Sequence, residues 1–454
     1  MDSSPVAAHT QTPLETPVPA ITRRGGPGEP ALSLDRLPRV ATPPPGSSTL
    51  ESRLSLAAEN TRRSLRDVIG SASRPVRSPS DLIRCFGVNK DLASKLLLAL
   101  EKPDPLAVAY FLPGAEALTK FLDSAQRRIN RPEPMLRARE AVRQFATLVE
   151  DELGGRQTLE AAASVWLPEV RARVEAATRQ AAYKSQSMIR GVTCDVAVHV
   201  AIVHPTRVHS EHCDSLMVLG YVGLRRLRPG APLFFMTAAH GEGRQVFTLS
   251  GDPVGADASS TLLREFTSRP IPELRAASDG ENLVYHIDTP HLGASNAVDV
   301  YFAEVSRGAM RRYTTEPGRR TGASHGMTIP ARELVFDLLV HEELYHGCEP
   351  ELLIYDTVWR GAANPNDRRR DIDRLDILDS IRVLGRGVAS CRAAELPRHV
   401  ELIENVCASQ GWSASSFRAF RCHSHYPVYG SQFSQAIRLP MKPDDPVARG
   451  IEGV

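Results

Sequence analysis

At Arg190 the hydrophobic period of this 454-residue chain changes from helical to extended. Between 49 and about 190 apolar residues recur every three or four positions, as in Leu50, Leu54, Leu56, Leu65 and Val68 of a first amphipathic helix with an Arg-rich outer face. Beyond it Val196, Val198, Val200 and Ile202 alternate, the period of a strand. One core rarely grows past about 250–300 residues. The two textures therefore predict a multidomain chain, an all-α part followed by an α+β part.

Breakers subdivide the helical part. Two short helices are predicted over 79–87 and 90–101, and two more over 106–111 and 115–128 on either side of Leu112-Pro113-Gly114. Longer helices are expected over 134–153 and 156–189, with Gly154-Gly155 between them and a kink at Pro168. Arg143, Arg171, Arg173 and Arg179 read as a solvated face of this pair. Beyond 190, strand-like runs fall at 216–224, 232–237, 283–288, 298–305, 333–340, 351–356 and 433–439. Helices are expected at 398–409 and at 371–384, where Ile372, Leu375, Leu378 and Ile381 share a face. Strand follows strand with helices grouped late, which predicts a mainly antiparallel sheet.

Residues 1–48 hold ten prolines and almost no large apolar side chain, a composition that cannot offset its ordering entropy and predicts a disordered tail. The domains expected are thus the tail 1–48, a helical domain 49–130, a helical connector 131–190 and an α+β domain 191–445. No apolar run reaches the roughly 18 residues of a membrane span, and without a basic start followed by an apolar block no secretory signal is expected. Seven scattered cysteines without a C-x-x-C pair suit reduced thiols. A cytoplasmic protein without membrane contact is expected.

Ser78-Pro79-Ser80-Asp81 is a helix start, with Ser78 as cap and Pro79 at the first position. Gly87 ends that helix, and Asn89 caps the next, whose apolar positions are Leu92, Ala93, Leu96, Leu97 and Leu100. The stretch 81–100 (DLIRCFGVNKDLASKLLLAL) resembles the bacterial helix-turn-helix DNA-binding motif, with Gly87 and Val88 at the turn and Ala93 and Leu96 at the inner positions. Ile83 stands where that pattern has a small residue. The resemblance implies a recognition helix presenting Asn89, Lys90, Asp91, Ser94 and Lys95, with Arg74, Arg77 and Arg84 on the DNA backbone. Residues 49–102 carry ten Lys/Arg against six Asp/Glu, a surplus of four within a chain of net charge +2. DNA is the partner so implied, and 131–190 is a candidate homodimer interface, since such regulators read paired half-sites. The expected function is a DNA-binding transcriptional regulator with a C-terminal sensing or assembly domain. The alternatives are a helical interaction scaffold and a metal-dependent enzyme in the C-terminal part.

Other constellations carry weaker signals. Gly322-Ala323-Ser324-His325-Gly326 matches G-x-S-x-G but lacks the strand–elbow–helix setting and reads as a flexible loop. His341 and His346 are five apart, one too many for the zincin pattern. His204, His209, His212 and Cys213 offer zinc donors without two spaced pairs, and His286, Asp288 and His291 read as a strand end. Asp371, Asp373 and Asp376 fit the first turn of a helix. Arg418, Arg421, His423, His425, Tyr426 and Tyr429 read as a polar sheet edge. No Walker loop or dinucleotide fingerprint occurs. No catalytic residue, metal ligand or cofactor is therefore assigned.

Overall fold

The computed structural model describes residues 49–206, 210–238, 246–254, 258–279, 282–288 and 293–442. The expected tail 1–48 and the last residues of the expected 191–445 domain lie outside them. The helical part comprises α1 (Leu50–Gly70), α2 (Pro79–Phe86), α3 (Lys90–Glu101), α4 (Pro105–Phe111), α5 (Ala115–Gln126), α6 (Pro132–Thr147), α7 (Arg156–Trp166) and α8 (Pro168–Arg190). Helix α1 starts at Thr49, whose hydroxyl accepts the Ser52 N–H, and buries Leu54, Ala58, Leu65 and Val68 in a core shared with α2 to α7. Leu56 is 63% exposed, because it lies about 200° round the helix from Leu54.

Pro168 breaks the helix expected over 156–189 and does not merely kink it. Leu167 is extended at φ −122° and ψ 106°, the region to which a following proline confines it, and Pro168 takes the first position of α8. No helix among the described residues is long and apolar enough to cross a membrane.

The C-terminal strands are β1 (Val192–Pro205), β2 (His212–Arg226), β3 (Phe234–Ala238), β4 (Val246–Phe247), β5 (Glu273–Asp279), β6 (Asn282–Asp288), β7 (Val298–Arg311), β8 (Arg320–Gly326), β9 (Ala331–His341), β10 (Glu351–Asp356), β11 (Ile381–Arg386), β12 (Phe417–His425) and β13 (Ser431–Arg438). Seven form one sheet in the order β11-β12-β9-β1-β2-β7-β4. Every neighbouring pair in it is antiparallel except β1–β9. Ala197, Ala201 and Val203 of β1 face a core closed by the three-stranded sheets β10-β13-β8 and β3-β6-β5. Val196, Val198, Val200 and Ile202 face a second core closed by α9 (His399–Ser409). Burial on both faces is why β1 is apolar almost throughout.

The helix expected over 371–384 does not form. A 3-10 turn spans Arg368–Asp373, and β11 pairs with β12. The expected apolar face is split: Ile372 and Leu378 are 60% and 47% exposed, while Leu375 and Ile381 pack against the core on the cavity side of the large sheet. The segment is instead tied to α8: Arg171 pairs with Asp376 at 2.5 Å, and Glu175 accepts the Leu378 N–H at 3.2 Å.

Helix α8 belongs to both parts of the molecule. Val170 lies in the helical core. Two and a half turns on, Arg179 is only 8% exposed, which corrects its expected place on a solvated face. It donates to Asp379 at 3.0 and 3.2 Å, to Glu175 at 3.1 Å, to the Tyr426 carbonyl at 3.1 Å and to the Ser424 hydroxyl. Tyr183 and Thr193 join hydroxyls at 2.8 Å.

Candidate functional site

Strand β1 carries Ala197, His199 and Ala201 on the face toward the smaller sheets. Two alanines beside a histidine leave a hollow where the opposite face is filled by valines. Strands β8 and β13 border this hollow, with Ala323 opposite Gln435 on the face toward β1 and the small residues Gly322, Ser324, Ser434 and Ala436 alternating with them. The result is a cavity of about 460 Å³ between the sheets. Gly322 sits at φ 150°, and a Cβ there would lie 1.9 Å from the Gln435 carbonyl oxygen, so only glycine allows this approach of β8 to β13.

The cavity floor is polar and buried. His199 is 2% exposed, and its ring stacks on Phe336 at 4.5 Å with an interplanar angle of 8°. Neither of its ring nitrogens has a hydrogen-bond partner among the described residues. Gln435 is fully buried; its Nε2–H donates to the Phe336 carbonyl at 2.8 Å, while its Oε1 has no partner among the described residues. At the rim, exposed Ser324 and buried Ser434 join hydroxyls at 2.8 Å, and inside, buried Glu304 accepts the Tyr285 hydroxyl. Exposed Arg311 and half-buried Arg319 and Arg320 stand at the open side, the latter two paired with Glu316 at 2.7 Å and Glu351 at 3.2 Å.

Burial depresses the basicity of His199 far below the ordinary range, helped by the His325 ring 5.3 Å away, and burial brings His325 down to about 4. Both rings are neutral at neutral pH, so each offers one donor and one acceptor. Unpaired buried polar groups are costly, on the order of 1–3 kcal/mol each. Ordered water or another polar molecule in the cavity would satisfy these atoms.

Ser324 lies in β8, not in a flexible loop, and meets the Ser434 hydroxyl, with no histidine bonded to it among the described residues. Neither His199 nor Gln435 stood out in the sequence. The available signal was a histidine interrupting a Val/Ala run, and a Ser-Gln pair in a short closing strand.

The residues assigned to DNA contact fall in two groups. Gly87 takes the left-handed conformation at φ 70°, the Ser78 hydroxyl accepts the Asp81 N–H, and the Asn89 side chain accepts the Leu92 N–H at 2.8 Å. Helix α3 buries Leu92, Ala93, Leu96, Ala99 and Leu100 and exposes Asn89, Lys90, Asp91, Ser94 and Lys95. At 3.6 residues per turn Lys90, Ser94 and Leu97 share one stripe. Exposed Arg74 and Arg77 flank its Leu97 end. Lys95 lies on the next stripe and pairs with Asp91 at 3.0 Å, while Arg84 is 3.8 Å from Asp81.

The remaining constellations have structural uses. Cys213 is buried in the cavity-side core with the Tyr345 hydroxyl 3.8 Å from its Sγ, whereas His204 stacks on Trp412 at 4.6 Å against the opposite core. His209 and His291 lie outside the described residues. Asp373 pairs with Arg370 at 2.5 Å, and Arg418 donates to the Leu344, Tyr345 and Cys348 carbonyls. Arg421, expected at a sheet edge, is buried: it grips Asp337 at 2.6 and 2.7 Å, and His399 reaches the same carboxylate at 2.8 Å.

No family model and no curated protein matches the chain. A solved structure of a candidate protease from Parabacteroides distasonis is similar at 9% identity over 55% of this chain and 41% of its own, with a TM-score of 0.24. That is below the level of a shared fold.

Proposed function

We propose that the C-terminal domain is a sensing domain that binds a small polar organic anion between its sheets, in the service of a DNA-contacting helical domain. The observation that carries the sensing half is the pair of buried groups without partners, His199 and the Gln435 Oε1, in one cavity. A volume of about 460 Å³ suits such a role, since small-molecule sites span about 300–1,000 Å³. The guest's acidic end would meet the arginines at the open side, and its hydroxyl or amide donors would meet Gln435 and His199. Neutral imidazoles inside do not repel a donor, and guanidinium groups outside favour the anionic end.

The test is thermal unfolding of the full chain against a panel of small hydroxy acids, amino acids and sugar phosphates. Stabilisation by one class, lost in Ala323→Trp, which fills the cavity, supports the reading. No shift by any class, with an unchanged melting temperature in Ala323→Trp, overturns it.

The DNA half rests on a different observation. Lys90 and Ser94 face solvent on a helix that follows a left-handed glycine turn, with Arg74 and Arg77 exposed beside it. Those donors suit phosphates and base edges. Binding of the full chain to random duplex across a salt series tests it, and no binding at low salt overturns it.

A further inference from the structure

The face of the large sheet opposite the cavity brings three metal-binding side chains together. Strands β9 and β12 run antiparallel with His425 directly across from Glu333 and His423 across from Val335. Side chains two apart on a strand share a face, so His423 and His425 flank the same carboxylate. One donor atom from each of Glu333, His423 and His425 lies within 4.8 Å of the others. The His423 Nε2 is 3.0 Å from the Glu333 Oε2, and the two imidazole centroids are 4.8 Å apart.

From this juxtaposition we infer a zinc site formed by Glu333, His423 and His425. Zinc takes imidazole and carboxylate ligands at about 2.0–2.2 Å in a tetrahedron, which sets neighbouring donor atoms about 3.3 Å apart. The His423–Glu333 spacing is already near that value, and His425, exposed at the strand end, closes the remainder by turning its ring. Two imidazoles with a single carboxylate select zinc over magnesium or calcium, which take oxygen. The strands that carry the ligands are held in register by Asp337 opposite Arg421 on the same two strands. Burial explains the His423–Glu333 hydrogen bond without a metal, but it gives no reason for a second, exposed imidazole beside the same carboxylate. Three protein ligands leave the fourth position to water, on the side where His425 meets solvent. The site lies against the other core from the cavity and stands or falls independently of it.

Full-length protein treated with a chelator and then dialysed is titrated with Zn²⁺ against a chromophoric indicator, and with Co²⁺ by visible absorption. One equivalent of zinc and a cobalt ligand-field band are expected. His425→Ala and Glu333→Gln should each weaken uptake about tenfold or more, since even outer-shell changes cost that much. The exposed His425 makes its alanine variant a test without loss of fold, which circular dichroism of the metal-free protein checks. No stoichiometric zinc in the wild type overturns the site. Unchanged uptake in both variants does so equally, because it places the metal elsewhere.

Discussion

Gln435 on β13 donates its Nε2–H to the carbonyl of Phe336 on β9 at 2.8 Å, a hydrogen bond that crosses from the smaller sheet to the larger. The same residue's own carbonyl lies where a Cβ on Gly322 would have to stand. One residue thus sets both the spacing of the two sheets and the approach of β8 to β13, and the cavity is what that spacing leaves.

Gly322→Ala should therefore lower stability by about 3 kcal/mol or more, because backbone must move to admit the methyl group. Gly326→Ala, on the same strand with nothing within 4 Å, is the control and should change stability little. Urea midpoints of the two variants decide it; equal midpoints would mean that the close approach is not real.

The buried imidazoles make the fold acid-sensitive in a defined window. His325 titrates at about 4 in the folded protein and His199 far below its ordinary range, so the unfolded chain takes up protons first. Stability is full above about pH 6.5 and falls as the pH drops from there toward 4, on the order of 2 kcal/mol for His325 alone by pH 5. His325→Leu should flatten that loss. Denaturant curves at pH 7 and pH 5 measure it, and an equal acid loss in variant and wild type would rule it out.

A second acid window belongs to Asp337. Burial alone would raise its pKa, but hydrogen bonds from Arg421 and His399 outweigh that and hold the carboxyl below its ordinary value. Its contribution is present above about pH 4 and is lost as the pH falls further. Asp337→Asn strands a buried guanidinium and should cost about 3–5 kcal/mol, whereas Asp337→Leu with Arg421→Met should recover most of it. A double variant no more stable than the single one would contradict this account.

For the helical domain, Lys90→Ala with Lys95→Ala should weaken duplex binding uniformly across sequences and reduce the salt slope by about two, one for each phosphate contact. Because Lys95 already pairs with Asp91, a reduction of about one instead would assign the contact to Lys90. An unchanged slope removes both from the interface.

What could be read from the sequence was what neighbours in the chain decide. Ser78, Gly87 and Asn89 mark the ends of α2 and α3 through partners three or four residues away, and all three were legible. The alternation of β1 showed a strand but not its depth, and hence not that His199 would be buried. Residues 371–384 misled because Asp379 meets an arginine 200 positions earlier, and that contact outweighs a local apolar stripe. The cavity was invisible for a related reason: Gln435 gains its meaning from Phe336, 99 residues away, and Ser324 from Ser434, 110 away.

Helix α8 has 23 residues, which makes it a rod about 35 Å long. Its first turn is set among α-helical side chains and its middle is clamped at Arg179 to the sheets. Arg171, Glu175 and Tyr183 hold the same rod on either side of that clamp. A rod fixed at several points along its length is a splint, and it keeps Val170 of the helical core at a set distance from the sheets.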